Sequence, residues 1–407
     1  MAEPTALFVA PSVPARTGNG LAMRLGMFLE ALSRVADTHL VIVPAFGPPP
    51  ATTALPDELG VATTVLDLTG KADTHLSLIM RIADPAERLA QFRRLGRGTR
   101  HSRLSSPVLN EIAAIAAAHP PTLLHVGRLY LGAAIAGVKA PLKTLDLDED
   151  DAWSWRSGAQ AGVAPDWADA EAEAETRLLS SLMPAVTRFF ISGPADAARL
   201  QQGHPGIALE TINNAVHVPA ETPHRDDGRT LLFVGAFGYA PNADGMRWFI
   251  REVWPKLTSI NPAPRLLLAG RDIPPDLHQQ HGRAGIEVLG AVKDVAGAYA
   301  SATLAIAPLH SGGGTRIKLM EAAAFGVPII STPLAAAGLS FGTDSAMWLA
   351  EDAEAFAAAI ADALARPAER RLRAGLASAA VGTYYDRTIV IEQLSRSFAG
   401  LLAPLAR

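Results

Sequence analysis

The feature that most constrains the fold is residues 303–333, TLAIAPLHSGGGTRIKLMEAAAFGVPIISTP. A short apolar run of strand length, 303–308, leads into the glycines Gly312, Gly313 and Gly314, and a segment rich in helix formers follows over 317–325. Gly326 closes this helix and a second apolar run, 327–331, begins. Strand, loop, helix and buried strand make one β-loop-α-β unit, the building block of open parallel sheets. The chain is therefore expected to be α/β, with ligands taken up at the carboxyl ends of its strands.

The charges of this loop sharpen the expectation. Thr315 stands where an N-cap belongs, yet the first turn then carries Arg316 and Lys318, where the positive end of the helix dipole favours Asp or Glu. Two cations on a positive helix end call for an anion between them. Consecutive glycines expose backbone N–H groups to close approach, so a phosphate or diphosphate fits. Glu321, the one acid of the helix, is placed to accept hydrogen bonds from sugar hydroxyls. The alternative is a flexible loop with a solvated Arg316 and a Lys318–Glu321 pair at i, i+3.

The run SGGGTRIKLMEAAAFGVPIIST resembles the donor-binding segment of GT-B glycosyltransferases, in particular the retaining family 4 enzymes that use nucleotide-activated sugars. The resemblance covers residues 231–364 and extends more faintly over the rest. It implies two Rossmann-like domains facing each other across a cleft: 1–220 for the acceptor, 221–382 for the nucleotide sugar, and a C-terminal helix, 383–407, crossing back to the first. In that family this segment carries two glutamates. Glu321 matches the second, implying a ribose contact, while the first falls on Gly313 here and brings no carboxylate to the donor sugar. The family's Arg and Lys after the first strand of this domain are also missing. In VGAFGYAPNADGMRWF their region offers Asn242 and Asp244, so Arg316 and Lys318 are expected to take the diphosphate, with Gly313, Gly314 and Thr315 beside them. The backbone around Val292, in 290–293, is implied to hold the nucleobase. The resemblance implies no metal and no cofactor, with a UDP or GDP sugar as co-substrate.

A chain of 407 residues, 49% hydrophobic and 19% charged, can build two cores. A net charge of -4 argues against a general nucleic-acid binder. The absence of cysteine excludes disulfides, thiol nucleophiles and Cys-ligated metals. No basic n-region with an apolar core opens the chain, and no apolar run reaches membrane-spanning length. The expectation is a cytoplasmic protein, peripheral at most to the inner membrane face.

Taken in order, 6–10 is a strand, PSVPARTGNG a loop and 21–35 a helix, with Gly18 and Gly20 placed to approach the donor phosphates or to make an ordinary turn. Met23 occupies the third glycine of a dinucleotide fingerprint. Strands are expected at 39–44 and 61–68. The arginine-rich 81–103 is read as a solvated helix face or as a contact for anionic lipid. Strand 120–126 carries His125, a structural or a catalytic histidine, with Arg128 and Tyr130 just beyond. Strand 143–147 opens into LDLDEDDAWSWR, whose Asp148, Asp151 and Trp153 suit a sugar acceptor together with Arg128 and Tyr130; capping and divalent-metal binding are the other readings of its acids. A strand at 186–192 and a helix end the first half, and 219–229 has linker composition. Further strands are expected at 231–235, 265–269, 286–289 and 345–349, and helices at 243–254, 352–364 and 368–381.

These readings converge on transfer of a sugar from a nucleotide-diphosphate donor to a glycan, glycolipid or small-molecule hydroxyl, with retention. Arg316, Lys318 and His125 are the expected catalytic residues. A nucleotide-sugar epimerase and a non-catalytic nucleotide-sugar binder share the same scaffold.

Overall fold

The computed structural model describes residues 3–44, 53–71, 73–160, 167–221, 226–292, 294–312 and 317–406. The chain divides into two units, Met1–Asn214 with Val390–Arg407, and Ala215–Ile389.

The first unit is built on β1 (Thr5–Ala10), β2 (Asp37–Ile42), β3 (Ala62–Val65), β4 (Leu123–Gly127), β5 (Leu142–Asp148), β6 (Arg188–Ile191) and β7 (Leu209–Thr211). Their order is β3-β2-β1-β4-β5-β6-β7 in one seven-stranded sheet, and all neighbours pair in parallel. Parallel strands are covered on both faces, which is why β1 and β4 read as continuous apolar runs and are buried almost throughout.

The second unit repeats the plan with β8 (Thr230–Val234), β9 (Arg265–Ala269), β10 (Ile286–Gly290), β11 (Leu304–Ala307), β12 (Ile329–Ser331) and β13 (Trp348–Leu349). The order is β10-β9-β8-β11-β12-β13, again parallel at every pairing. Both sheets reverse direction of strand order beside their first strand, between β1 and β4 and between β8 and β11. These are the points where doubly wound sheets take ligands, at the carboxyl ends.

Helix positions follow local chemistry. Asn19 caps the helix Gly20–Leu32 by accepting from the Ala22 N–H at 2.9 Å. The helix after β8 starts earlier than expected, at Ala240, because Pro241 fits a first turn, and it continues as a π-helical turn over Phe249–Val253. Gly326, at φ 69°, ends the helix Ile317–Ala324. The last helix, Arg387–Leu402, belongs from Val390 onward to the first unit, where Phe398 lies 5.5 Å from Phe190 and 5.6 Å from His125 between ring centroids. Helices Ser106–Ala118 and Ala168–Leu182 and the three-residue edge strand β7 fall outside the sequence expectation, as do short helices such as Ala54–Glu58 and Ala134–Gly137. Among the described residues no helix is long and apolar enough to cross a membrane.

Candidate functional site

In the second unit, three of the residues predicted to meet the donor, Asn242, Lys318 and Glu321, come together after β8 and β11. Gly313, Gly314, Thr315 and Arg316 lie outside the described residues, but the helix they lead into is described. From its first turn, the Lys318 ammonium donates to Asn242 Oδ1 at 2.5 Å and sits 4.0 Å from the centroid of the Phe233 ring. Asn242, 6% exposed, donates in turn through Nδ2 to the Ala236 carbonyl at 2.7 Å. The floor beneath this pair is Gly235, immediately after β8. A Cβ there would come within 2.9 Å of Asn242 Nδ2 and 3.0 Å of Lys318 Nζ, so only glycine leaves the pair its place.

One turn further, Tyr299 donates its hydroxyl to the Lys318 carbonyl at 3.1 Å and to Glu321 Oε2 at 3.3 Å. Its ring stacks on Phe325 at 5.1 Å. Burial pushes the Glu321 carboxyl up to about 7, against the opposing pull of the Tyr299 hydrogen bond and the Lys318 charge. Asn242, Lys318 and Glu321 thus form one cluster. Val292 lies half-buried just past the end of β10, next to Lys293, which is outside the described residues.

The first unit treats its predicted residues differently. Gly18, at φ 115°, faces open space, and Gly20 is the first residue of its helix. His125 is a core residue. It has no exposed surface, stacks on Phe28 at 4.6 Å, and shares its Nδ1 with the Thr144 hydroxyl at 2.9 Å. Burial, with the nearby Arg24 charge, drives its imidazole down to about 3, so it stays neutral near pH 7. The catalytic reading of His125 is corrected by this placement: a side chain closed in by Phe8, Phe28, Phe190 and Phe398 reaches no substrate.

The predicted acceptor residues do come together, as a buried ion network. Arg128 donates to Asp148 at 2.9 Å, to Glu149 at 3.2 Å and to Asp151 at 2.8 Å, and Tyr130 lies under its guanidinium at 5.9 Å. Arg128 and Asp148 both adopt positive φ, 88° and 64°, in the left-handed half of the backbone map that non-glycine residues avoid. Arg100 also reaches Asp151 at 2.8 Å, and burial near Glu175 holds the Asp151 carboxyl well above the usual range. Arg128, Tyr130 and Asp151 are no more than 5% exposed, which leaves Asp148 and the half-buried Trp153, under the Arg199 guanidinium at 4.2 Å, nearer the surface. Among the described residues no group of His, Asp and Glu is placed to hold a metal ion.

Arg24 is the residue that the sequence expectation omits. Its guanidinium, with no exposed surface on the side chain, grips Asp146 through two bonds of 2.7 Å and also donates to the Ile212 carbonyl and Asn214 Oδ1, both at 3.0 Å. The signal for it was a single arginine inside an otherwise apolar stretch of helix.

Residues 228–366 match the family model described as glycosyl transferases group 1. No curated protein matches the chain. Among solved structures, the chain is similar to sucrose-phosphate synthase from Thermosynechococcus elongatus, with a TM-score of 0.68 at 15% identity over 99% of this chain and 100% of that one. It is also similar to Anabaena HepE in complex with UDP and glucose, with a TM-score of 0.67 at 12% identity over 98% and 100%. A third likeness is to WaaG, a glycosyltransferase involved in lipopolysaccharide biosynthesis, with a TM-score of 0.63 at 13% identity over 96% and 98%. At these identities the structural likeness establishes the fold.

Proposed function

We propose that this chain, whose residues 228–366 match the glycosyl transferases group 1 model and whose fold is that of GT-B glycosyltransferases, is itself a glycosyltransferase that moves a sugar from a nucleotide-diphosphate donor to a hydroxyl acceptor with retention. The observation that carries the reading is Lys318, held by Asn242 and Phe233 over Gly235 at the switch point of the matched domain. A fixed cation at the entrance of a helix suits a leaving diphosphate, and Arg316 is proposed to join it there. Glu321, with Tyr299 behind it, is proposed to receive the ribose hydroxyls. The solved structure of HepE with UDP and glucose supports a uridine nucleotide as the first candidate.

The protein's part in this chemistry is positioning and charge neutralisation. The departing phosphate oxygen takes the acceptor proton on the face it leaves, so no protein nucleophile is required. Asp148 and Trp153, nearer the surface than their buried partners, are proposed to border the acceptor. Exposed Leu78 and Met80 beside Arg81 also suit an acceptor presented at a lipid surface, although Arg93, Arg97 and Arg100 face Glu173, Asp73 and Asp151.

Calorimetric titration with UDP, GDP, ADP and TDP, followed by product analysis with the matching sugar nucleotide, tests the reading. Selective binding and a new glycoside are expected. Lys318→Ala or Arg316→Ala should remove about 2 to 4 kcal/mol of transition-state stabilisation, a loss of turnover of roughly a hundredfold, in a protein that still folds. The glycine at 313 favours one rival, a binder without transfer; selective binding with no product from any sugar nucleotide would establish it.

A further inference from the structure

We infer that Asn242 is a positioning residue: it acts on the donor through Lys318, by holding that ammonium in place before a ligand arrives. The inference rests on the donor reading of the same site. A lysine side chain has four rotatable bonds and ends in a point charge, so a phosphate that binds it must first pay for stilling it unless the fold has already done so. Here the fold does so from three sides. The amide oxygen of Asn242 accepts from Nζ at 2.5 Å, the Phe233 face lies 4.0 Å away, and Gly235 closes the space beneath.

The amide is itself fixed. Its Nδ2 donates to the Ala236 carbonyl at 2.7 Å, which forces the oxygen to be the atom that faces Lys318. Asn242 is nearly buried and sits in the first turns of the helix that starts at Ala240, so the backbone of that helix sets its position. The amide and the arene are uncharged, so these two groups orient the ammonium without the neutralisation that a carboxylate at position 242 would bring; the Glu321 carboxyl, one turn on, also feels its charge. Aspartate at 242 would still offer an oxygen to the ammonium, but it would neutralise that charge and set a second carboxylate oxygen against the Ala236 carbonyl, so the mount and the charge are both lost. The split between nucleotide and nucleoside binding is what separates a positioning role from a merely structural one.

The test is a double-mutant cycle read by calorimetry on the full chain, with UDP and uridine as probes and GDP and guanosine as a second pair. Asn242→Ala should weaken nucleotide binding by about tenfold and leave nucleoside binding unchanged, because only the diphosphate meets Lys318. In the Lys318→Ala background the same change should have no further effect. Asn242→Asp should weaken the diphosphate at least as much, and Gly235→Ala should do likewise by displacing the ammonium without deleting a polar group. Thermal melting without ligand confirms that each variant is folded; if Asn242→Ala fails to fold, Gly235→Ala carries the cycle. Additive losses in the double mutant, equal losses for nucleotide and nucleoside, or full affinity in Asn242→Asp would overturn the positioning role. Unchanged binding in Lys318→Ala alone, or no binding of any of the nucleotides by the wild type, would instead reject the donor reading and the inference with it.

Discussion

At the switch point of the first unit, Arg24 and Arg128 meet carboxylates; at the corresponding point of the second, Lys318 meets an amide oxygen and an aromatic face. The two sheets share one strand order, so topology offers a ligand the same place in both. Electrostatics separates them. A guanidinium with no exposed surface, such as that of Arg24, is tolerable only if acids compensate it, and the compensation turns the charge inward. In the second unit the Lys318 ammonium is held by an amide oxygen and an arene, both uncharged. Switch points are thus sites of opportunity, and the two units differ in the partners they give the charged residues placed there.

The largest way to break this comparison is to remove the inward-turned charge. Arg24→Ala leaves Asp146, 1% exposed, without its guanidinium, and should lower unfolding stability by about 3 to 5 kcal/mol in urea titrations, as expected for half of a buried pair. Adding Asp146→Asn should recover part of that loss. A cost below about 1 kcal/mol would mean that the network is not the support it resembles.

A smaller effect, of known sign, comes from Glu321. Its folded carboxyl titrates at about 7 against an ordinary value of 4.5, so the folded chain keeps a proton that the unfolded chain has released. Stability is therefore expected to fall as pH rises from about 4.5 to about 7 and to level off above that. Glu321→Gln should flatten this slope in denaturation midpoints taken at about pH 5 and about pH 8. Asp151→Asn sharpens the contrast. Asp151 is raised by burial in the same direction, but its neutralisation strips Arg100 and Arg128 of a partner and should destabilise the first unit at both pH values. Equal behaviour of the two variants would erase the distinction between the units.

The smallest effect is expected at His125. His125→Phe keeps an aromatic ring among Phe28, Phe190 and Phe398 and loses one hydrogen bond to Thr144, a change of about 1 to 2 kcal/mol with turnover unaffected. Because the folded imidazole is held near 3 against an ordinary 6.5, the wild type loses stability as pH falls from about 6.5 to about 3, and the variant should lose less. A hundredfold drop in turnover in a folded His125→Phe protein would return this residue to the reacting centre.

The contrast also explains what was legible in the sequence. Apolar runs bounded by glycine and proline placed β9 at 265–269 residue for residue and put β1, β8 and β11 within a residue or so of their observed bounds, because strands covered on both faces admit little else. Lys318 stood out in the sequence because a cation in a helix's first turn breaks a local rule, whereas its bond to Asn242, 76 positions away, did not. Charges that obey no local rule did not stand out. Glu171 and Glu175 sit in an alternating Ala/Glu helix that reads as solvated, yet they are 0% and 1% exposed, held by the Thr99 N–H and by His101. Their partners lie some seventy positions away, a distance over which sequence spacing carries no geometry. His125 illustrates the same limit, since a histidine at the end of an apolar strand looks alike whether its ring faces a ligand or four phenylalanines.

The division of the chain has a consequence for how the protein is made. All seven strands of the first unit precede residue 215, but Phe398, which has no exposed surface and packs on Phe28 and Phe190, belongs to the same unit and is synthesised only after the whole of the second. During translation the first sheet would stand with an aromatic face unfilled while about 175 residues of the other unit pass through the ribosome. The second unit, continuous in sequence, can close as soon as its last residue is free. The unit that begins first is thus the one that finishes last, and its nascent form is the stage at which a chaperone would find apolar surface to hold.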